Sequence, residues 1–356
     1  MTHARWLLLS ALSCLLASPA FAQTTPATGP SAAASRPTTR QARPEPPRRI
    51  QHLSEIRMRD VCILPDPETR TYYMIGPGRN SVRAYTSKDL ITWDGPQTIY
   101  RTPPDVWGDI PVNSIWAPEM QKYKGKYYLF LTFSTNTLLG EQWREWRPRV
   151  VRGSTVLHSD SPLGPFQSFQ PRSTPPVDMI TLDATLWVED GKPYMVFAHE
   201  WVQIVNGGIC MMPLKDDLSA ADGEPVTLFK AAEAPWSHAG RRGEGEGGFG
   251  MNVTDGPYLY TSKSGKLFMI WSSFHKDVYT TGVAISDSGK LNGPWRQEPN
   301  ALHYDGGHGM LFTTFEGKLM MVLHSPNNRP GVTRPRIFEL TDTGETLKVN
   351  AEFTGH

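Results

Sequence analysis

Three aspartates recur at similar points of the chain, and carboxyl groups brought together in one pocket can exchange protons with a substrate. Asp60, Asp183 and Asp255 lie 10, 9 and 11 residues before a basic residue that opens an apolar run. Like charges that share a partly dry pocket raise at least one pKa, which prepares carboxyl groups for acid and base catalysis. Singly, an aspartate beside glycine is a common turn former. The chemistry therefore depends on whether the three side chains meet in space.

Two further segments place a large or ionisable side chain at the same point. Trp116 and Glu119 lie 10 and 7 residues before Lys126, and His308 lies 10 residues before Lys318. A tryptophan can stack against a sugar ring, and a histidine between glycines can contact water, a metal ion or substrate, although a buried histidine bound to the backbone explains it equally well. A zinc site is not indicated, because no second His or Cys lies at ligand spacing.

The recurrence reflects a repeat of strand-like segments. Each copy has a turn residue, a basic residue and about five apolar residues, as in TRTYYMIG, GKYYLFLTF, GKPYMVFAH, GKLFMIWSS and GKLMMVLHS. Their basic residues are 56, 66, 74 and 52 residues apart, which suits a four-stranded blade with its loops. The pattern predicts an all-β chain that forms a five-bladed β-propeller with four-stranded antiparallel blades. A β-sandwich is the alternative, but it gives no reason for a five-fold recurrence.

If the strand before each basic residue is the innermost one of its blade, the polar groups meet at one end of the central channel. Trp116, on which a sugar ring could stack, would then lie beside the three aspartates. On this arrangement we predict that Trp116, Glu119 and His308 contact substrate.

The N-terminal residues predict export. Arg5, an apolar run over residues 6–17 and small residues at Ala20 and Ala22 are typical of a cleavable signal peptide, here residues 1–22. Residues 23–49 are rich in Ala, Thr and Pro and predict a disordered linker. The propeller domain is expected over residues 50–356, in a protein that is periplasmic or extracellular.

The net charge and the cysteine content limit which binding partners and which disulfide bonds are expected. The net charge of +1 gives no reason to expect nucleic acid or, after signal cleavage, a membrane as partner. Cys62 and Cys210 would be the thiols of the mature chain, and both lie in apolar runs where buried free thiols are usual. We expect them to be unpaired. The oligomeric state stays open.

Four segments resemble glycoside hydrolase family 43, the five-bladed propeller enzymes that remove arabinose, xylose or galactose units from plant-type polysaccharides. The segments are RDVCILPDPETRTYYMIG, SIWAPEM, LDATLWVEDGKPYMVFAHEW and GGHGMLF. The resemblance extends from about residue 57 to about residue 347. It implies an inverting hydrolase in which Asp60 is the general base, Asp183 orients the general acid and adjusts its pKa, and His308 lies near the axis. No cofactor is required by it, and a calcium ion near His308 is compatible with it.

The segment NVTDGPYLY departs from the family pattern. The family has Glu-Gly-Pro with glutamate as the general acid, whereas this chain has Asp255, Gly256 and Pro257. The shorter side chain withdraws the carboxyl group, and a misplacement of about 1 Å can lower a rate roughly a hundredfold. Three interpretations stay open: Asp255 still delivers the proton, Glu200 at the end of the second strand of blade three replaces it, or the protein is a non-catalytic carbohydrate-binding propeller.

Overall fold

The computed structural model of this chain describes residues 46–238, 252–327 and 329–355. The predicted signal peptide and almost all of the predicted linker lie outside these residues. Within the described ranges, no helix is long and apolar enough to cross a membrane.

Five antiparallel sheets form the blades of a β-propeller, as the repeat predicted. The first strand is β1 (Arg49–His52), which is followed by blade one: β2 (Cys62–Asp66), β3 (Thr71–Pro77), β4 (Ser81–Ser87) and β5 (Thr92–Arg101). Blade two comprises β6 (Val112–Tyr123), β7 (Lys126–Leu138), β8 (Val150–Ser159) and β9 (Gln167–Ser168). Blade three comprises β10 (Thr181–Glu189), β11 (Lys192–His199), β12 (Gly208–Pro213) and β13 (Val226–Lys230).

The last two blades repeat the arrangement. Blade four comprises β14 (Asp255–Thr261), β15 (Leu267–His275), β16 (Val278–Ser286) and β17 (Trp295–Gln297), and is followed by β18 (His303–Tyr304). Blade five comprises β19 (Gly307–Thr313), β20 (Leu319–Ser325), β21 (Arg334–Asp342) and β22 (Leu347–Glu352). Helical structure in the described ranges is limited to α1 (Trp201–Ile204) and two 3₁₀ turns, Leu53–Glu55 and Ala231–Glu233.

Two strands depart from the predicted four per blade. β1 pairs with β5 and gives blade one a fifth, outermost strand, with Arg48 bound to the Asp94 carboxylate at 2.9 and 2.6 Å. The short strand β18 pairs with β16 beside β17. Neither strand touches the centre of the propeller.

The core consists of apolar side chains packed between neighbouring blades. One cluster joins blades one and five, where the Ile63 N–H lies 2.9 Å from Met310 Sδ. Cys62 and Cys210 are buried and unpaired, so the prediction of free thiols is confirmed. Burial of apolar surface, with no disulfide in the described part of the chain, therefore holds the ring closed.

Each innermost strand carries one residue with left-handed backbone conformation near the same mouth of the channel. These residues are Asp60 (φ 48°), Ala117 (43°), Asp183 (57°), Gly256 (46°) and His308 (49°). In blades two to five the strand register shifts at this residue, which is the signature of a β-bulge. Each lies 9 or 10 residues before the basic residue of its repeat. The bulge therefore lies at an equivalent place in the innermost strands of blades two to five, and in blade one Asp60 precedes β2 at an equivalent distance from the basic residue.

The position of the bulge refines the prediction that the polar groups lie at the same point of each repeat. Asp60, Asp183 and His308 occupy the left-handed position, whereas Trp116 and Asp255 each lie one residue before it. The five polar groups expected to be equivalent from spacing alone therefore occupy two adjacent positions.

Candidate functional site

A cleft of about 480 Å³ opens at this mouth of the channel. Asp60, Asp183 and His308 contribute to it from the left-handed positions, and Trp116 and Asp255 from the positions before them. The other lining residues that matter for its chemistry are Arg59, Arg147, Glu200, Trp201 and Phe274. The structure therefore brings together six of the seven predicted site residues, all except Glu119.

Side chains of the preceding blade bind the backbone at three of the left-handed positions. The N–H groups concerned are those of Asp60, Asp183 and His308. Their acceptors are His324 Nδ1 at 3.2 Å, Thr132 Oγ1 at 3.0 Å and Ser272 Oγ at 2.9 Å, respectively. The backbone at each of these three residues is therefore fixed by a side chain of the preceding blade.

Asp60 is supported by a neutral histidine. His324 is fully buried, and its Nδ1 lies 3.2 Å from the Asp60 backbone nitrogen and 3.3 Å from Asp60 Oδ1. Burial lowers the pKa of His324 below its ordinary value. We therefore assign Nδ1 as the acceptor, with Nε2–H donating to Asn327 Oδ1 at 3.1 Å. Arg59 Nε lies 4.0 Å from Asp60 Oδ1 on the cleft side.

Asp183 binds the turn that carries Asp255. Its Oδ2 accepts from the Gly256 N–H at 3.1 Å and lies 3.3 Å from His308 Nδ1. A Cβ atom at Gly256 would lie only 2.9 Å from the Cα atom of His308, and φ there is 46°. Glycine is therefore required where blades three, four and five converge.

Asp255 is held in its ionised form. Tyr279 Oη donates to Asp255 Oδ2 at 2.5 Å, and His308 Nδ1 lies 3.8 Å from Oδ1. Burial alone would raise the pKa of Asp255, but the His308 hydrogen bond and charge and the Tyr279 hydroxyl lower it. Burial likewise opposes a charged His308, yet the surrounding carboxylates, chiefly Asp255 and Asp60, raise its pKa. The resemblance implied that Asp183 adjusts the pKa of the acid, but His308 lies between Asp183 and Asp255 and lowers the pKa of Asp255.

One aromatic pair connects Asp255 with Asp60. The Tyr279 ring stacks on the His324 ring with centroids 5.6 Å apart and an interplanar angle of 14°. Tyr279 contacts Asp255 through its hydroxyl group, and His324 contacts Asp60 through Nδ1. Both rings are buried, so the two acids are held at a fixed separation by packed side chains.

Glu200 has the opposite electrostatic character. It precedes α1, is buried, and forms an ion pair with Arg152. Burial outweighs the attraction of the guanidinium group and raises the pKa of Glu200. The Arg152 guanidinium also lies over the Trp116 ring, 4.0 Å from its centroid. Trp116 is thus a braced aromatic surface next to a carboxyl group whose pKa is raised.

Glu119 is the predicted site residue that the cleft does not contain. It lies two residues beyond the bulge of β6 and faces a cavity of about 10 Å³ on the channel axis, beneath the cleft. Burial raises its pKa to about 7, and it accepts from Thr185 Oγ1 at 2.5 Å and Gln121 Nε2 at 2.6 Å. A cavity of this size holds about one water molecule. Direct contact between Glu119 and substrate, as predicted, is therefore not supported.

Sequence reasoning missed the residues that hold the acids, although the repeat contains a signal for them. Thr132, Ser272 and His324 each lie six residues after the basic residue of their repeat. Glu200 and Phe274 each lie eight residues after it. Sequence reasoning used the end of the second strand for Glu200 alone, and applying it to every blade would have identified the other four as well.

Comparison with known proteins shows what the chain is similar to. The model of glycosyl hydrolases family 43 matches residues 53–341. The solved endo-arabinase of Bacteroides thetaiotaomicron is 38% identical, with a TM-score of 0.71, over 82% of this chain and 96% of that one. The extracellular exo-α-(1→5)-L-arabinofuranosidase of Cellvibrio japonicus is 22% identical over 76% of this chain and 79% of the relative. An endo-1,4-β-xylanase structure from Bacteroides thetaiotaomicron, 20% identical with a TM-score of 0.63, shares the fold.

Acidification should weaken the fold through His324. Because its folded-state pKa is lowered, the unfolded chain takes up the proton first, and stability is lost as the pH falls through the unfolded value of about 6.5. We expect the free energy of unfolding to fall more steeply between pH 7.5 and 5.5 in the wild type than in His324→Gln. Urea unfolding at each pH measures both slopes, and equal slopes would contradict a neutral buried His324.

Proposed function

The chain belongs to glycosyl hydrolases family 43, and we propose that it hydrolyses α-L-arabinofuranosyl linkages of arabinan-type polysaccharides by a single displacement that inverts the anomeric centre. The observation that carries the reaction type is the convergence of Asp60, Asp255 and Glu200 on one cleft. The sugar is inferred from two relatives that act on arabinan or arabinofuranosides. Xylosyl and galactosyl units are the other sugars that a panel of aryl glycosides would test.

Asp60 is proposed as the general base that activates water. Its carboxyl group lines the cleft, and its backbone is fixed by His324 of the neighbouring blade. An inverting enzyme needs a water molecule between base and sugar, so its two carboxyl groups lie about 6.5–9.5 Å apart. Asp60 in blade one and the acid candidates in blades three and four come from separate sides of the ring. That placement supports inversion over attack by a carboxylate nucleophile.

Glu200 is proposed as the general acid, in preference to Asp255. A general acid must hold its proton at the working pH and release it to the departing oxygen. Burial raises the pKa of Glu200, whereas the donors around Asp255 lower its pKa. Asp255 would then remain a carboxylate and stabilise the positive charge that develops on the sugar in the transition state.

Asp183 and His308 are proposed as positioning residues. Asp183 holds the Gly256 backbone, and His308 lies between Asp183 and Asp255. Trp116, braced from behind by Arg152, is proposed as the surface on which the bound sugar stacks.

Replacing the proposed base should abolish turnover. We expect Asp60→Asn to lower kcat/KM on 4-nitrophenyl α-L-arabinofuranoside by about 10²- to 10⁴-fold, because water is no longer activated. Asp94→Asn is the matched control, since Asp94 pairs with Arg48 at the outer edge of the same blade. Unchanged turnover in Asp60→Asn would remove Asp60 from the mechanism, and the anomer released first by the wild type reports inversion or retention.

Leaving-group dependence should distinguish the two candidate acids. Loss of a general acid lowers the rate by about 10²- to 10⁴-fold only when the departing oxygen needs a proton. We therefore expect Glu200→Gln to lose activity on arabinan but to retain most of it on a 2,4-dinitrophenyl arabinofuranoside. Asp255→Asn should lose activity on both substrates alike.

The pH profile gives a second readout of the same assignment. Wild-type kcat/KM should fall as the pH rises through the Glu200 pKa, which lies above the ordinary value of 4.5, and this limb should vanish in Glu200→Gln. Rescue of Asp255→Asn by the activated substrate would instead assign the acid to Asp255. Binding of arabinan without any product would favour the non-catalytic carbohydrate-binding propeller.

No cofactor is required by the proposed reaction. Ligand atoms of Asp183, Asp255 and His308 lie within 4.8 Å of one another, which supplies carboxylates from two residues and one imidazole. Calcium takes about 6–8 oxygen ligands, and both carboxylates already accept hydrogen bonds. Treatment with EDTA is therefore expected to leave kcat/KM unchanged. A loss that calcium restores would establish an ion near His308.

We also propose that the protein is exported and that its signal peptide, residues 1–22, is cleaved. The N-terminal composition and the extracellular arabinan-acting relatives support this localisation. N-terminal sequencing of the mature protein should begin at Gln23, and a retained Met1 in an extracellular or periplasmic fraction would contradict the assigned cleavage site.

A further inference from the structure

The loop between β7 and β8 presents an alternating aromatic and basic sequence, WREWRPR, at residues 143–149. Trp146 packs against Trp201, the first residue of α1, and Trp143 packs against Trp146. Trp201 lines the catalytic cleft, whereas Trp143 does not. We call Trp201, Trp146 and Trp143 the tryptophan ridge.

The ridge is a continuous row of rings that leads away from the cleft. The Trp201 and Trp146 centroids are 5.6 Å apart at 80°, and the Trp146 and Trp143 centroids are 5.9 Å apart at 51°. Steps of this length are comparable to one sugar unit. A polysaccharide chain that leaves the cleft on this side would therefore pass one ring after another.

A buried arginine fixes the ridge to α1. Arg149 is 2% exposed, and its guanidinium lies 3.5 Å from the Trp143 ring centroid. Its Nη2 donates to the Gln203 carbonyl at 2.6 Å, and its Nε donates to the Val202 carbonyl at 3.3 Å. The Trp146 indole N–H donates to the same Val202 carbonyl at 2.7 Å. The loop is thus ordered before substrate arrives, which reduces the entropy lost on binding.

The exposed end of the ridge has the chemistry of a carbohydrate-binding surface. Trp143 is 37% exposed although it has the largest apolar surface of any side chain type. Its indole N–H is satisfied by Glu141 Oε1 at 2.8 Å, so its ring is the part that remains for a ligand. An aromatic face matches the C–H face of a sugar, and the Arg147 guanidinium, 5.7 Å from the Trp201 ring centroid, carries donors for sugar hydroxyl groups.

We propose that the tryptophan ridge binds sugar units of the substrate chain remote from the bond that is cleaved, and that the protein therefore acts preferentially on long arabinan chains. The proposal rests on the proposed hydrolysis of arabinan and adds where the rest of the chain binds. Because α1 directly follows Glu200, the ridge also fixes the position of the substrate chain relative to the proposed acid.

The test compares short and long substrates in ridge variants. Trp143→Ala and the double variant with Trp146→Ala should lower kcat/KM on debranched arabinan, mainly through KM, by about fivefold for each ring. Both variants should retain wild-type kcat/KM on 4-nitrophenyl α-L-arabinofuranoside, which is too short to reach the ridge. Arabino-oligosaccharides of increasing length should show the loss appearing only beyond a certain length.

Arg144→Ala is the matched control. Its side chain is 94% exposed in the same loop, and its ion pair is with the adjacent Glu145, so both substrates should be unaffected. An equal loss on short and long substrates in the ridge variants would show that the ridge is only structural, and no loss on arabinan would show that it is not used. Either result overturns the proposal.

A binding measurement separates this proposal from the proposed function. Isothermal titration of debranched arabinan into the Asp60→Asn protein should give a dissociation constant that Trp143→Ala weakens about fivefold. If the wild type cleaves none of the glycosides tested, the proposed function fails, yet this titration still decides the ridge. Arabinan binding that is absent, or unchanged by the double variant, rejects it.

Discussion

The left-handed residue at the start of each innermost strand is the constraint on which the rest of the site depends. Residues with a side chain rarely adopt positive φ, and the cost of order 1–3 kcal/mol persists only where surrounding structure enforces it. Here the enforcing groups are side chains of the preceding blade, which bind the backbone N–H groups of Asp60, Asp183 and His308. Blades one, three and five therefore do not form their parts of the site alone, and these parts of the site depend on the closed ring.

The exception in blade four explains the position of Asp183. Ala198 lies six residues after Lys192, where blades two, four and five have Thr132, Ser272 and His324. An alanine side chain has no acceptor, and the Gly256 N–H is bound instead by the Asp183 carboxylate. The Asp183 carboxylate thus acts as the acceptor that a side chain of the second strand provides elsewhere. Asp183 is committed to holding the turn before Asp255, and its charge reaches Asp255 only across His308.

Hydrogen-bond donors from neighbouring strands also determine in which direction the pKa of each acid shifts. A buried carboxylate is stable when hydrogen-bond donors replace the water it has lost, and Asp255 receives such donors from Tyr279 and His308. Glu200 is buried with one guanidinium partner, and burial prevails. The pKa values of Asp255 and Glu200 therefore shift in opposite directions because their partners differ, and the substitution of glutamate by aspartate in NVTDGPYLY coincides with a second acid in the cleft.

The sequence by itself determined the architecture and most of the site. The repeated apolar runs after each basic residue specify five blades, since strand alternation and turn residues are local properties of the chain. The same spacing placed Asp60, Asp183 and His308 correctly at one mouth of the channel. It also placed Trp116 and Asp255 at that mouth, but it could not show that these two precede the left-handed residue of their strands, and it assigned Glu119 to the cleft although Glu119 lines a separate small cavity.

The pKa shifts of the acids and the contacts that cause these shifts follow only from the tertiary structure. The pKa of Asp255 depends on Tyr279 and His308, and that of Glu200 on burial against Arg152, each a residue of another strand. Burial and long-range hydrogen bonds arise when blades pack, and spacing along one strand does not encode them. Sequence therefore showed which acids meet, and the packing of neighbouring blades decided in which direction the pKa of Glu200 and that of Asp255 shift.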